Sequence, residues 1–476
     1  MLRFALGLIL ACAAQAQDGF RAGPIFDEFS LTLEAGHRTE ALGPFFYAQQ
    51  LESEETWAIP PLLSRDSDPS TESEEFDLLY PLLTYEKFGM EYRWQFIQLF
   101  SASGGQNQNG LPAKRFTIFP LYFQQRSPEP SRNYTALFPF YGHIKDRLLR
   151  EDIFFVLWPM YVESRKRDIV TDNYLYPIFH VRHGDGLHGW QCWPLVGNEH
   201  KEVTTRTNGF GETEIIGGHD RFFALWPIYF HQNNGQGTEN PEKFRAAWPL
   251  YTLSRSPQRD ATTVLWPLFT WVDDRAKKYH EWDSPWPFIV VARGEGKTTT
   301  RFWPLFSRAH NDTLESDFYL WPIYKYHRLH AGPLDLERTR ILFYLFVDVN
   351  EKNTETSAER KRMDLWPLFT WRRDFDGNQR LQILAPVEPV LPNNRGVERN
   401  WSPLWSLWRS ESNPSTGASS QSVLWNLYRR DAAPTAKKCS LLFGLFQYQS
   451  DSAMKKIWLF YIPVHQWRAS AARPMK

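Results

Sequence analysis

The sequence predicts an all-β protein built as an antiparallel up-and-down repeat, and three observations support this. One short phrase, Leu-Trp-Pro-Leu followed by Phe or Tyr, returns along most of the 476 residues. Copies recur at a spacing of roughly twenty residues, which is typical of repeat architectures. Glycine, proline and asparagine collect midway between copies, where they predict hairpin tips, and the flanking runs are too short for helices.

The fullest copy of the motif spans residues 264–271, and residues 365–371 repeat all of it after the valine. Earlier copies are weaker, and several copies after residue 323 keep the frame but lose the proline. We assign a structural role to the Trp-Pro pairs Trp158 and Pro159, Trp193 and Pro194, Trp226 and Pro227, Trp248 and Pro249, Trp266 and Pro267, Trp286 and Pro287, Trp303 and Pro304, Trp321 and Pro322, and Trp366 and Pro367.

Both faces of the motif are apolar when residues 264–271 are read with the period of a strand, which predicts a strand buried on both sides at its middle. Tryptophan is then a core residue, and neighbouring motifs form a central Trp-Pro belt. Trp248, Trp266 and Trp286 are expected on three adjacent strands, with each proline marking a bulge or bend. About twenty strand or hairpin units result, arranged as a closed barrel or a superhelical β-sheet.

The predicted organisation along the chain is a signal peptide, a lead-in, one repeat domain and a tail. Two departures from the repeat are a long insertion and a segment in which Pro386, Pro389 and Pro392 break the strand pattern. Long loops on a rigid scaffold are where binding usually resides, so both are candidate binding segments. The boundaries are 1–16 for the signal peptide, 17–40 for the lead-in with a possible first strand at 29–33, 41–467 for the repeat domain, 199–221 for the insertion, 382–400 for the irregular segment and 468–476 for the tail.

The N-terminus predicts export. A basic Arg3, a compact apolar run and a small-residue cleavage site ending at Ala16 have the order of a secretory signal. An alternative is a lipoprotein signal with an acylated Cys12. Two cysteines then remain, Cys192 and Cys439, which either pair or act as small buried hydrophobes. No apolar run is long enough for a transmembrane helix.

The charge balance and the motif search argue against nucleic-acid binding and against the recognised phosphate, dinucleotide and calcium sites. Lys plus Arg and Asp plus Glu number 54 each, so the net charge gives no basis for binding nucleic acid. Residues 294–298, 209–211 and 374–378 resemble parts of phosphate, dinucleotide and calcium loops, but each lacks a required element and is interpreted as a turn. We therefore predict no catalytic residue, no metal ligand and no cofactor.

These Leu-Trp-Pro-Leu-Tyr/Phe copies resemble the tandem repeats of exported bacterial proteins of unknown function, over roughly Leu42 to Gln466. The resemblance implies an envelope location and no activity. We expect a non-enzymatic scaffold or binding surface, in the periplasm or associated with the outer membrane or another envelope component. The alternatives are an outer-membrane β-barrel for transport and a glycan-binding protein that uses exposed tryptophan. The identity of any small-molecule or glycan ligand stays open.

Overall fold

The computed structural model describes residues 23–106, 112–207, 209 and 211–468. The predicted signal peptide, Cys12 and nearly all of the predicted tail lie outside these residues. The chain divides into two compact units. The first unit combines Met1–Gln98 with Ala331–Lys476, and the second unit is Leu99–His330. The single repeat domain over 41–467 stays a prediction.

Strands make up most of both units, and the helices are short. The strands of the first part of unit 1 are β1 (Phe26–Ser30), β2 (Gly36–Ala41), β3 (Phe46–Leu51), β4 (Glu54–Ile59), β5 (Leu63–Asp68), β6 (Ser73–Leu78), β7 (Leu83–Phe88) and β8 (Glu91–Phe96). Its later strands are β34 (Leu334–Ile341), β35 (Phe346–Asn353), β36 (Glu359–Leu365), β37 (Phe369–Arg373), β38 (Gln379–Ile383), β39 (Trp408–Asn413), β40 (Ala418–Val423), β41 (Tyr428–Ala433), β42 (Ala436–Leu441), β43 (Phe446–Ser450), β44 (Met454–Leu459) and β45 (Ile462–Arg468). Two helices, α1 (Arg395–Asn400) and α2 (Ser402–Trp405), interrupt this series, and 3-10 turns span Gly23–Ile25 and Gly43–Phe45.

Unit 2 contains strands throughout and one 3-10 turn, Pro130–Arg132. Its strands are β9 (Phe100–Gln106), β10 (Pro112–Ile118), β11 (Tyr122–Arg126), β12 (Tyr134–Leu137), β13 (Tyr141–Arg147), β14 (Arg150–Val156), β15 (Tyr161–Lys166), β16 (Ile169–Tyr174), β17 (Phe179–Gly184), β18 (Leu187–Cys192), β19 (Val196–Lys201), β20 (Thr204–Thr207), β21 (Thr213–Ile216), β22 (Gly218–Ala224), β23 (Tyr229–Gln236), β24 (Glu242–Ala247), β25 (Tyr251–Arg255), β26 (Arg259–Val264), β27 (Phe269–Asp274), β28 (Tyr279–Asp283), β29 (Ile289–Gly294), β30 (Thr298–Phe302), β31 (Phe306–His310), β32 (Leu314–Tyr319) and β33 (Tyr324–Ala331).

The strands form a 43-stranded antiparallel up-and-down sheet, in which strands that follow each other in sequence pair with each other. This confirms the predicted fold class. The sheet is not closed into a barrel: within the described residues β1 pairs only with β2, and β45 pairs only with β44. The closed-barrel alternative is therefore wrong. The lead-in already belongs to the sheet, because β1 covers Phe26–Ser30 instead of the predicted 29–33.

Most of the polar segments between motifs are hairpin tips, as predicted. Between β17 and β18, Asp185 has a φ of 51° and Gly186 a φ of 70°, and Gly184 lies opposite Leu187. Two central residues with positive φ form the two-residue turn whose twist suits a hairpin. One tip differs from the prediction, because residues 233–235 continue β23 and the chain turns only after Gln236. Turn-forming residues thus locate the tips to within a few positions.

The motif does not lie in the middle of strands, which corrects the main sequence-based assignment. Val264 ends β26 and Phe269 begins β27, so Leu265, Trp266, Pro267 and Leu268 form the turn between them. The chain thus reverses twice per repeat, at the polar tip and again at the motif. Proline explains this, because it cannot donate a hydrogen bond to a central strand but suits a turn.

The buried face of the sheet is largely polar. Ser64, Thr299, Ser307 and Asp364 are at most 2% exposed, and more of the described buried residues are polar or charged than hydrophobic. Hydrophobic clusters do exist in unit 2, where the larger is built from Phe123, Tyr134, Ala136, Ile144 and Phe155. Large apolar residues are instead exposed in great number. In most soluble proteins large apolar residues are buried, so this distribution is unusual. An extended exposed apolar surface marks an interaction surface.

Candidate functional site: an apolar edge of motif turns

Several motif copies form the same four-residue turn, whereas the copies around Trp193, Trp248, Trp303 and Trp366 leave three residues between their strands. In the copy around Trp266 the Leu268 N–H donates to the Leu265 carbonyl at 2.9 Å, the Trp266–Pro267 peptide bond is cis, and Leu265 has a φ of 49°. A turn with a cis proline at its third position is a recognised turn class. The copies around Trp226 and Trp321 have the same internal hydrogen bond, a cis peptide bond before the proline and a leucine with positive φ at the first position. A repeated sequence thus produces a repeated local structure.

Neighbouring motif turns are joined by backbone hydrogen bonds. The Trp266 N–H donates to the Pro249 carbonyl at 2.8 Å, and the Trp286 N–H donates to the Leu268 carbonyl at 2.7 Å. Such bonds link every motif turn of unit 2 to the next, through the N–H groups of Phe138, Trp158, Tyr176, Trp193, Trp226, Trp248, Trp266, Trp286, Trp303 and Trp321. The turns therefore form one row along an edge of the sheet, which we call the apolar turn edge.

The predicted adjacency of Trp248, Trp266 and Trp286 is therefore right, but they lie in adjacent turns and not on adjacent strands. No bulge faces Pro249 or Pro267 in the registers of the strands beside them. The proline carbonyl, at least for Pro249, accepts the hydrogen bond from the next turn. The belt therefore exists, and it lies at the ends of the strands.

Tryptophan in the row is exposed instead of forming a core. Trp266 is 48% exposed and Trp226 is 47% exposed, while Trp193, Trp248 and Trp303 are half-buried. Exposure of Trp158, Trp286, Trp321 and Trp366 lies between 41% and 44%. The paired prolines Pro159, Pro194, Pro227, Pro249, Pro267, Pro287, Pro304, Pro322 and Pro367 are half-buried or exposed. The predicted burial of the motif on both sides is wrong.

Aromatic rings of neighbouring turns touch each other along the edge. The ring centroids of Trp248 and Trp266 lie 5.8 Å apart, and those of Trp303 and Trp321 also lie 5.8 Å apart. This is within the range of favourable aromatic pairs. The two rings of each pair are tilted relative to each other, by 54° and 45°. The turn edge thus combines a row of backbone hydrogen bonds with aromatic contacts between several of its neighbouring turns.

The two ends of the strands differ in polarity. Turns such as 225–228, 265–268 and 320–323 contain no charged residue. At the opposite ends, Arg275 pairs with Asp260 at 3.2 Å and Lys278 pairs with Glu295 at 2.8 Å. Each hairpin is therefore amphiphilic along its length, with an apolar turn at one end and a charged tip at the other.

The predicted insertion at 199–221 forms a small hairpin of its own. Its strands β20 and β21 pair with each other and do not join the main sheet. At its base Glu199 accepts hydrogen bonds from Arg182 at 2.5 Å and from His219 at 2.7 Å. Burial opposes ionisation of Glu199, but the His219 bond and the Arg182 charge outweigh burial and lower its pKa. The insertion is anchored by this ionic cluster.

The irregular segment at 382–400 packs inside unit 1 against the N-terminal strands. The buried Arg399 of α1 donates to Ser64 at 2.9 Å, to Glu75 at 3.0 Å and to Asp77 at 2.5 Å. Burial favours the neutral form of Arg399, but Asp77 outweighs it and raises the pKa of the guanidinium. A methyl group on Gly396 would lie 2.4 Å from the Tyr80 ring, so only glycine permits this close approach of α1.

A cavity of about 440 Å³ lies beside this segment, within unit 1. Side chains from β1–β5, β36–β41 and residues 388–402 line it, and arginine is the only basic residue type among the described lining residues. The sequence indicated this region only through Pro386, Pro389 and Pro392. The ionic residues themselves were missed, since Arg399 and Asp77 are 322 positions apart and carry no shared local signal.

No metal centre or disulfide is found in the part of the chain that the structure describes. There is no group of three or more His, Cys, Asp or Glu side chains arranged to hold a metal ion among the described residues. Cys192 and Cys439 are unpaired and half-buried, not fully buried as the alternative to pairing implied. No helix among residues 23–106, 112–207 and 211–468 is both long and apolar enough to cross a bilayer. No protein-family model matches the sequence, and a search of curated proteins finds no match.

Proposed function

We propose that this chain is a non-enzymatic scaffold of the bacterial cell envelope that attaches to a membrane surface through the apolar turn edge. The observation that carries the proposal is the unbroken row of exposed Leu, Trp and Ile side chains in turns held at one level by backbone hydrogen bonds. Exposed apolar surface of this extent on an ordered edge favours burial against another apolar phase.

Residue types in the row favour a membrane interface over a protein partner. Tryptophan and tyrosine are enriched where a membrane meets water, because their rings suit a boundary between apolar and wet surroundings. Aliphatic residues stand beside them in each turn: Leu225 is 57% exposed and Ile228 is 50% exposed. The charged tips at the other strand ends keep that side in water. The hairpins thus have the polarity of an interfacial, monotopic protein.

Location in the outer membrane or periplasm is the part of the proposal that depends on the predicted signal at 1–16. Attachment through turns requires no spanning segment, because only the turn side chains enter the interface. The absence of a recognised catalytic pattern in the sequence supports a scaffold role.

Glycan binding is the second candidate, because the exposed tryptophans also offer rings on which sugars stack. The rings of Trp193 and Trp226 lie 5.6 Å apart and those of Trp248 and Trp266 lie 5.8 Å apart. Each ring thus has part of its surface covered by its neighbour, which leaves less of a face for a sugar ring. The aliphatic residues of the row have no role in stacking. We therefore favour membrane attachment.

Vesicle flotation tests the proposal. In the chain that carries Leu225→Asn and Leu265→Asn, we expect roughly tenfold weaker binding to phosphatidylcholine vesicles, because two exposed aliphatic side chains are lost. Both leucines have positive φ, 51° and 49°, a conformation that asparagine tolerates, so the turns keep their structure. Failure of the parent chain to float with vesicles would contradict membrane attachment.

A matched control changes the charged tips. Arg167 and Lys278 also have positive φ, 56° and 52°, and lie at hairpin tips. Arg167→Asn with Lys278→Asn makes the same two-residue change in the same backbone conformation, and uncharged vesicles remove the effect of the lost charges. We expect this variant to float like the parent chain. Equal loss of binding in both variants would show that the turn edge is not the contact surface.

A further inference from the structure

We propose that the cavity of unit 1 binds a small polyhydroxylated anion, a sugar acid or sugar phosphate, whose charged group is held by Arg409. The proposal is independent of membrane attachment. It depends on one arginine without a partner, on the way its neighbours are engaged, and on the polar lining of the cavity.

Arg409 lies on β39, opposite Gln382 of β38 and Ser422 of β40, and lines the cavity. Within the described residues its side chain makes no hydrogen bond and no ion pair. Burial, and then the charge of Arg38, lower the pKa of Arg409. The charges of Glu40 and Glu411 raise the pKa of Arg409 but do not outweigh burial and Arg38. Arg409 is half-buried, and its guanidinium, with five donors and no acceptor among the described side chains, is available to bind an anion in the cavity.

The carboxylates beside Arg409 are already engaged. Glu40 accepts from Arg38 at 2.7 Å and from Asn426 at 2.7 Å, one bond to each oxygen. Burial opposes ionisation of Glu40, but Arg38 and then Arg409 outweigh burial and lower its pKa. Glu411 lies 3.8 Å from Arg380. Neither carboxylate bonds to Arg409, so its donors stay free for a ligand.

Other arginines that line the cavity have carboxylate partners, unlike Arg409. Arg372 donates to Glu398 at 2.6 Å, and Arg429 donates to both oxygens of Asp431 at 2.8 Å. Arg429 also covers the Phe29 ring at 3.4 Å. Among the half-buried arginines that line the cavity, Arg409 is the one for which the described residues provide neither a hydrogen bond nor an ion pair. Its planar fork matches a carboxylate or a phosphate.

The hydroxyl part of the ligand follows from the remaining lining. Glu54 and Asp66 lie together on β4 and β5, and burial and the Asp66 charge raise the pKa of Glu54. Paired carboxyl groups accept hydrogen bonds from hydroxyls, and the hydroxyl of Thr56 already donates to Asp66 at 2.6 Å. The volume of about 440 Å³ lies in the range of small-molecule sites and accommodates a monosaccharide.

Isothermal titration of the full chain with glucuronate, glucose 6-phosphate, orthophosphate and glucose tests the proposal. We expect one of the two anionic sugars, or both, to bind, and glucose to bind far more weakly. A preference between glucuronate and glucose 6-phosphate identifies which anionic group the site takes. Binding of orthophosphate as tight as that of glucose 6-phosphate would overturn the hydroxyl part. Absence of binding for both anionic sugars would overturn the site.

Variants separate a ligand role of Arg409 from a structural one. We expect Arg409→Gln to weaken binding of the anionic sugar by roughly tenfold or more, because charge-assisted hydrogen bonds are lost. We expect the affinity of Arg409→Lys for the anionic sugar to lie between those of the parent chain and Arg409→Gln, since lysine keeps the positive charge but lacks the planar guanidinium. The exposed Arg206 of β20 provides the control, and Arg206→Gln should bind like the parent chain.

The melting temperature without ligand gives the second readout. Arg409 has no hydrogen bond or ion pair to lose among the described residues, only its charge interaction with Glu40, so Arg409→Gln should melt close to the temperature of the parent chain. A marked drop in melting temperature for Arg409→Gln would show that the guanidinium stabilises the fold, and this would overturn the assignment.

Discussion

The regular row of unit 2 and the irregular segment of unit 1 use the same kind of sheet in opposite ways. From residue 119 to residue 323 each repeat adds one more motif turn to the same edge, and the buried face carries small hydroxyl residues such as Thr299 and Ser307. Between β38 and β39, two short helices replace the motif turn and carry Arg399 and Asn400 into a buried ionic network. The regular repeats of unit 2 thus form the apolar turn edge, and the segment that interrupts the repeats of unit 1 lies beside the cavity.

The largest expected effect tests the buried ions of the irregular segment. Arg399→Met should lower the free energy of unfolding by about 3–5 kcal/mol, because Asp77 then stays buried without its counter-ion. Urea titration followed by tryptophan fluorescence measures the change. We expect no arginine of the regular row to cause as large a loss of unfolding free energy when it is replaced by methionine.

Arg255 in unit 2 is the matched control. Like Arg399 it donates three hydrogen bonds, to Ser254, Ala261 and Thr262, but it is exposed. Arg255→Met should cost less than about 1 kcal/mol, since exposed pairs contribute little. Similar losses for the two variants would mean that burial does not distinguish the two regions.

The next effect concerns Asp283 in unit 2, a buried carboxyl that makes no ion pair with an arginine among the described residues, although the charges of Lys297 and Arg301 act on it. It is 6% exposed, and one of its oxygens has no hydrogen bond among the described residues. Burial and then the Glu281 charge raise the pKa of Asp283 to about 6. The folded chain therefore binds this proton more tightly than the unfolded chain, and the resulting stability is lost as the pH rises through about 6.

Asp283→Asn should accordingly be more stable than the parent chain at pH 8, by about 1–3 kcal/mol, and equal to it near pH 4. Urea titrations at both pH values measure this. The exposed Asp260 serves as control: its bond to Arg275 lowers its pKa, so Asp260→Asn should change stability little and in the opposite direction. A parent chain that gains stability on going from pH 5 to pH 8 relative to Asp283→Asn would refute the assignment.

The smallest effect sharpens the description of the row itself. Trp266 is 48% exposed, so Trp266→Ala should cost about 1–2 kcal/mol, well below the loss for a fully buried tryptophan. Glu295→Ala, at a tip, should stay within about 0.5 kcal/mol. A loss of about 3–5 kcal/mol for Trp266→Ala in urea titration would restore the predicted core role of the motif.

The sequence was sufficient for the fold class and for most hairpin tips, because glycine and proline restrict the backbone locally. Asp185 and Gly186 predicted their turn from chemistry that acts within two residues. The motif was misassigned because an apolar run of five residues looks alike in a buried strand and in an exposed turn. Pro267 was the available signal, and it was interpreted as a bulge or a bend within a strand when it marks a second reversal of the chain.

The cavity could be located but not described from sequence. Pro386, Pro389 and Pro392 showed that the strand pattern stops, because proline is excluded from central strands. The partners of Arg399 come from strands more than 300 positions earlier, and no local pattern links them. Arg409 sits in an ordinary strand sequence, and only the three-dimensional arrangement shows that its neighbours are engaged elsewhere.

The hydrogen bonds between motif turns also affect how such a chain gains or loses repeats during evolution. Each turn gives one or two N–H groups to the turn before it and offers one or two carbonyls to the turn after it. A copied hairpin, inserted with its tip and its motif, meets backbone donors on one side and backbone acceptors on the other. Gene duplication can therefore lengthen the row without leaving an unmatched group, and copy number is free to drift among descendants while the edge keeps its chemistry.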